Sequence, residues 1–255
     1  MPLEILTIPC LQDNYAYLIH DAASGQTALV DVPEASPILA ELSQRGWALS
    51  EVWITHHHPD HVDGLPEVLA QHPVKVVGSK GDAHRLPPLD VAVADADNFK
   101  FGGETVQVLD MSGHTIDHIA FYLPESDAFF TADSLMVMGC GRLFEGTPAQ
   151  MYSSLQKTAE MPPQTRIYSG HEYTASNASF ATTVDPANPA LILRIKDIED
   201  KRANGLPTIP STLELERETN PFLRADNPEV QEHLNLTGAS PVEVFTEIRA
   251  LKDRF

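Results

Sequence analysis

A chain of 255 residues with 42% hydrophobic residues can fill one large domain, or a domain with an appendage. Its net charge of −19 argues against nucleic acid, whose phosphates the summed field repels. No apolar run approaches the ~18 residues of a membrane span, and Met1-Pro2-Leu3-Glu4 lacks the basic and apolar regions of a signal peptide. Two distant cysteines, Cys10 and Cys140, suit reduced thiols in a cytoplasmic protein.

Short strands are predicted over residues 3–8, 15–20 and 27–31, parted by the turn formers Gln12-Asp13-Asn14 and Ala23-Ser24-Gly25. Asp31-Val32-Pro33-Glu34 turns the chain, and Ala35 to Arg45 has helical spacing. Val52-Trp53-Ile54 reads as a buried strand, and a helix follows from Leu65 to Ala70. Val74 to Val77 and Thr105 to Leu109 are further strands, with turns at Pro87-Pro88 and Gly102-Gly103 between them. Ile119 to Leu123 and Ala128 to Thr131 make a neighbouring pair joined by Pro124-Glu125-Ser126-Asp127. Pro148 to Glu160 is helical, with proline in the first turn, and Arg166 to Ser169 is the last clear strand. The alternation of strand and helix predicts α/β layers. From about residue 174 strand signals stop. Pro189 to Asn204 is an amphipathic helix ending at Gly205, Leu206 to Pro210 is broken by proline, and a final helix spans about Pro241 to Lys252. The expected division is an α/β domain over residues 1–173 and a smaller helical domain over 174–255.

The chemistry concentrates in Thr55-His56-His57-His58-Pro59-Asp60-His61, directly after the Val52 strand. In extended chain His56 and His58 share one face and His57 takes the other. His56, His58, Asp60 and His61 are four metal donors within six residues, more than one ion takes from so short a segment. Two metals side by side are expected, completed from elsewhere. Three later positions repeat one layout, an apolar strand followed by a donor: His114, Asp133 and His171. Sites in α/β sheets gather at the carboxyl ends of strands. Singly, each histidine would be an ordinary hydrogen-bonded residue and Asp133 a turn residue; together they supply what two divalent ions lack. His118 and Asp31 are candidates to support the ligands. His20, His57, His72, His84 and His233 lack this context and read as surface or packing residues.

Thr-His-x-His-x-Asp-His resembles the signature of the metallo-β-lactamase superfamily. Gly139 to Gly146, Gly170-His171-Glu172-Tyr173-Thr174, Asn220-Pro221-Phe222-Leu223-Arg224 and Arg249 to Phe255 resemble its glyoxalase II branch, the hydroxyacylglutathione hydrolases. The resemblance implies an αββα sandwich followed by a helical substrate domain. It implies one metal on His56, His58 and His114, another on Asp60, His61 and His171, and Asp133 bridging them, with zinc first and iron or manganese as alternatives. Arg142, Tyr173, Arg249 and Lys252 correspond to groups that hold glutathione. Phe144 stands where many relatives have tyrosine and offers only packing or backbone contact.

The implied reaction is hydrolysis of S-(2-hydroxyacyl)glutathione by a hydroxide held between the metals, the second step of methylglyoxal detoxification. Asp60 and Asp133 would serve the chemistry directly, Asp60 by orienting that hydroxide. A thiolate of pKa ~8.5 leaves without a dedicated acid. The partner is then a small-molecule thioester, with no nucleic acid or membrane, and the chain a monomer. A mononuclear iron persulfide dioxygenase on the same fold would leave Asp60 and His61 without purpose. Another hydrolase of the superfamily, such as a lactonase, a β-lactamase or an RNA-processing nuclease, is a further alternative; the acidic charge disfavours the nuclease and the missing signal peptide a secreted β-lactamase. A non-catalytic metal-binding module would not need an open two-metal site.

Overall fold

Trp53, fully buried, is met by three phenylalanine rings in the first part of the chain. The computed structural model describes residues 3–255 in two compact units. One runs to Asp110 and resumes over Asp117–Phe130; the other comprises Met111–Ile116 and Thr131–Phe255.

In the first unit β1 (Glu4–Cys10), β2 (Asn14–Asp21), β3 (Gln26–Val30), β4 (Glu51–Trp53), β5 (Lys75–Ser79) and β6 (Val91–Val93) lie side by side in chain order. The pairing is antiparallel from β1 to β3 and parallel from β3 to β6. Three helices, α1 (Ala35–Arg45), α2 (Pro59–Val62) and α3 (Leu65–Gln71), fall within the parallel connections. Ile38 and Leu42 of α1 and Leu65 and Val68 of α3 bury against Leu18, Leu29, Val52 and Val76. Helix α1 stops where Gly46 enters the left-handed region at φ 66, its N–H capping Leu42 and Ser43 carbonyls.

A second, antiparallel ladder follows: β7 (Asn98–Phe101), β8 (Glu104–Asp110), β9 (Ile119–Leu123) and β10 (Ala128–Ala132), whose last two residues belong to the second unit. Trp53 meets Phe99, Phe101 and Phe121 with ring centroids 5.2, 5.3 and 5.3 Å away, so aromatic edges and faces join the ladder to the first sheet.

The second unit holds the hairpin β11 (Leu135–Met136) and β12 (Gly139–Cys140), helix α4 (Pro148–Gln156) and strand β13 (Arg166–Ser169). Helices α5 (Thr174–Val184) and α6 (Pro189–Ala203) follow, then β14 (Ser211–Thr212), α7 (Leu213–Thr219), α8 (Pro228–His233) and α9 (Pro241–Arg254). Phe180, Phe222 and Phe245 are its aromatic core. Glu216 of α7, fully buried, pairs with Arg194 of α6 and accepts the Met138 N–H at 2.8 Å. Asn220 donates to the Met136 and Gly139 carbonyls at 3.2 and 3.0 Å, so the Asn220-Pro221-Phe222 motif pins the β11–β12 hairpin.

Some expectations change. His61 and Asp60 lie inside a separate four-residue helix, α2, because Pro59 suits a first helical position. Arg166 to Ser169 is not the last strand, since β14 pairs antiparallel with it through Ser211 and Thr212. Helix α4 ends at Gln156 rather than Glu160.

Candidate metal centre

The opening motif leaves the sheet beside the end of β3. The parallel register pairs Val30 with Trp53, so Asp31 and Thr55 emerge at the same edge. Asp31, at φ 56, accepts the Thr55 N–H on Oδ1 at 2.9 Å and the Thr55 hydroxyl on Oδ2 at 2.8 Å. His61 Nδ1 lies 2.8 Å from the same Oδ2. The Thr55 hydroxyl oxygen in turn stands 3.0 Å from His56 Nδ1. One carboxylate thus directs the Nδ1 protons of two imidazoles and leaves both Nε2 atoms as acceptors, the arrangement that supports metal-ligating histidines. His56 and His61 are fully buried. His56 Nε2 and His58 Nδ1 approach to 3.2 Å, two nitrogens that a shared cation brings together favourably. Asn14 Nδ2 donates to both the carbonyl and Oδ2 of Asp60 at 3.0 Å, holding that carboxylate 3.9 Å from His61 Nε2. His57 takes the opposite face, as extended chain requires, and meets Asp82 at 2.8 Å. His118 is buried and stacks on His56 at 4.7 Å. Gly64 closes the loop: a Cβ there would fall 2.7 Å from the Glu34 carbonyl carbon.

The second unit carries the other three donors. Asp133 follows β10 after Ala132, which is held at φ 41, a region an alanine seldom adopts. Its Oδ2 lies 3.5 Å from His114 Nε2 and 3.3 Å from His171 Nε2. His114 Nδ1 donates to the Arg142 carbonyl at 2.7 Å, which again turns Nε2 inward. A carboxylate oxygen beside the Nε2 atoms of two histidines is the chemistry of a ligand set, and these residues fit divalent metal. Gly141 permits the approach, for a Cβ would sit 1.9 Å from the Asp133 carbonyl oxygen.

The remaining candidates also lie in this unit. Tyr173 stacks flat on His171 at 4.7 Å, and Phe144, 61% exposed, sets its edge against His114 at 5.3 Å. Arg142 is exposed, its Nε 3.7 Å from Asp253. Arg249 is buried; it donates to the Cys140 carbonyl at 2.9 Å and to Asp253 at 2.7 Å, with its guanidinium over Phe222. Lys252 Nζ reaches the Ser176 carbonyl at 3.3 Å between the rings of Phe180 and Phe255. Burial, and then the nearby Arg249 charge, push its ammonium down to about 8. Sequence reasoning missed Asn14 and Asp253 as partners of site residues. Each is an ordinary polar residue whose partner is set by the fold.

Residues 12–171 match the metallo-β-lactamase superfamily, and residues 172–255 match the hydroxyacylglutathione hydrolase C-terminus. The fold and donor set therefore define a metallo-β-lactamase-fold protein with a metal-binding site. Hydroxyacylglutathione hydrolases of Ruegeria pomeroyi and Roseobacter denitrificans are each 61% identical to this chain over 255 residues, 100% of both partners. The chain belongs to the hydroxyacylglutathione hydrolase family. Among solved structures it is similar to ETHE1 from Myxococcus xanthus, with a TM-score of 0.69, 26% identity and coverage of 98% of this chain and 90% of that one. TTHA1623, solved in a di-iron-bound form, has a TM-score of 0.61 and 25% identity, covering 86% of this chain and 100% of its own. Among the described residues no helix is long and apolar enough to cross a membrane.

Proposed function

We propose that the chain hydrolyses S-(2-hydroxyacyl)glutathione, such as S-lactoylglutathione, to glutathione and the 2-hydroxy acid, the second step of methylglyoxal detoxification. The observation that carries this reading is 61% identity over the full length to hydroxyacylglutathione hydrolases. In it two divalent metals, zinc foremost, would be held by His56, His58 and His114 and by Asp60, His61 and His171, with Asp133 as a further donor. Metals bound there would lower the pKa of water toward ~7 and polarise a thioester carbonyl. The chain's own residues do the rest. Asp31 and Thr55 fix the histidine tautomers. Asp60, tethered by Asn14, orients the attacking water. Lys252, Arg142 and Tyr173 receive the glutathione moiety, Phe144 offers packing or backbone contact alone, and Arg249 holds the Cys140 carbonyl two residues before Arg142. The leaving thiolate, of pKa ~8.5, needs no acid. Residues 1–173 would carry the chemistry together with Arg142 and Tyr173, and 174–255 would add Lys252 to the substrate contacts. Two buried free thiols agree with a reducing cytoplasm, and we take the chain as a monomer. A persulfide dioxygenase is less well supported, since Asp60 and His61 would have no task despite being anchored by Asn14 and Asp31.

The test is hydrolysis of S-lactoylglutathione under nitrogen with about two equivalents of zinc per chain. Free thiol should appear in proportion to acid, at the rate seen in air. Oxygen uptake with glutathione persulfide and no thioester cleavage would overturn the assignment.

A further inference from the structure

Between His171 and Tyr173 lies a carboxylate to which the reaction assigns nothing. The side chain of Glu172 is only 6% exposed, and it turns away from its two neighbours into the helical region. Its Oε2 accepts the Thr208 N–H at 2.9 Å, and its Oε1 accepts the Thr208 hydroxyl at 2.6 Å. Arg202 Nη1 lies 3.4 Å from Oε2, and the Thr174 hydroxyl stands 2.6 Å from Thr208 Oγ1. Thr208 sits in the segment between α6 and β14, 36 residues away in sequence. A buried carboxylate with this many partners fixes its own backbone strongly, because charge-assisted bonds are about twice the strength of neutral ones.

What that backbone carries is the reason for the arrangement. His171 and Tyr173 flank Glu172 and stack at 4.7 Å with an interplanar angle of 9°. Their parallel rings require one backbone conformation across the intervening residue. His171 Nε2 must also remain 3.3 Å from Asp133 Oδ2. Strand β13 ends at Ser169 and helix α5 begins at Thr174; the Gly170 N–H still donates to the Ala132 carbonyl at 2.9 Å and His171 forms an isolated bridge, whereas Glu172 and Tyr173 lie in neither strand nor helix.

We infer that Glu172 is a positioning residue: clamped by Thr208, its carboxylate sets the His171–Tyr173 turn, coupling a metal ligand to a substrate-binding tyrosine. The inference rests on the metal and substrate roles proposed above for those two residues. It predicts that glutamine, which keeps an acceptor for the Thr208 N–H and a donor for its hydroxyl, largely replaces glutamate, whereas alanine does not. Partners of metal ligands typically change metal affinity or activity by ~10–100-fold when removed.

The experiment uses the full chain, stripped of metal and titrated with cobalt(II), its visible absorption and a competing chelator reporting affinity. Glu172→Ala should weaken the second cobalt equivalent by about tenfold or more. Glu172→Gln should recover to within about threefold of the unmutated chain, and Thr208→Val should fall between. Glu172→Ala that binds cobalt as tightly as the unmutated chain overturns the inference. If Glu172→Ala does not fold by circular dichroism, Thr208→Val decides: cobalt affinity unchanged within twofold overturns the idea, and a clear loss supports it. The readout is metal affinity rather than turnover, so an unmutated chain that bound cobalt but cleaved no thioester would sink the proposed function and leave this inference standing.

Discussion

Lys252 shows how one residue's surroundings translate into a pH dependence. An ammonium that is half-buried among Phe180 and Phe255 and faces Arg249 loses its proton at about 8. In its proposed role of receiving a glutathione carboxylate, it would bind while protonated. KM for the thioester should therefore be low below pH 8 and rise as pH passes through that value, with kcat changing less because bound substrate and transition state share the contact. The link to stability has the opposite sense. The unfolded lysine keeps its proton up to about 10.4, so between about 8 and that value the unfolded chain binds more protons and stability rises with pH. Steady-state kinetics of Lys252→Arg separate this from other titrations, since an arginine stays charged throughout. A KM that climbs equally in Lys252→Arg would assign the effect elsewhere. Arg249, engaged by the Cys140 carbonyl and Asp253, is the poorer probe because its loss would disturb the loop that carries Arg142.

At the scale of elements, helix α7 matters more than its seven residues suggest. Its Glu216 joins Arg194 of α6 to the Met138 N–H of the β11–β12 hairpin, which follows the proposed ligand Asp133. Removing one partner of a buried pair leaves an uncompensated charge and costs ~3–5 kcal/mol. Glu216→Leu should lower the urea midpoint accordingly, and Arg194→Met with Glu216→Leu should lose less than either alone; an additive double variant would refute the coupling. None of this network could be read beforehand, because Arg194 and Glu216 look like solvated helix residues until the fold brings them together. The four-residue α2 and two-residue β14 were equally hidden: neither is long enough for a hydrophobic period to show. Helix α5, Thr-Ala-Ser-Asn in its first turn, carries small polar residues without a marked apolar stripe. The strands before His56, His114, Asp133 and His171 were legible for the converse reason. Each is a short apolar run broken by a small or ligand residue, a pattern that survives whatever the tertiary partner is. The supports of the site, Asn14 on Asp60 and Thr208 on Glu172, lie 46 and 36 residues from what they hold and carry no local signal.

For the whole molecule the governing fact is a charge of −19 facing a substrate that is itself an anion. Two fields act on its approach. The long-range field of 36 acidic against 17 basic residues repels it, and in the proposed site the local field of Arg142 and Lys252 would draw it in. Salt separates them by distance. At 0.01 M ionic strength the screening length is ~30 Å, so a substrate still well outside the protein feels the net charge; at 0.1 M it shrinks to ~10 Å and only nearby groups act. Contacts at hydrogen-bonding distance are screened last. Raising salt from 0.01 to 0.1 M should therefore increase kcat/KM by about twofold or more, as repulsion fades while the local cations still act. Toward 1 M, where the screening length is ~3 Å, the value should fall again as those contacts weaken. Arg142→Ala with Lys252→Ala should keep the rising limb, start from a lower value and lose the fall. Kinetics with sodium chloride at fixed pH and metal would show it. A kcat/KM that decreases from the lowest salt onward would mean that the local cations outweigh the net charge even at long range.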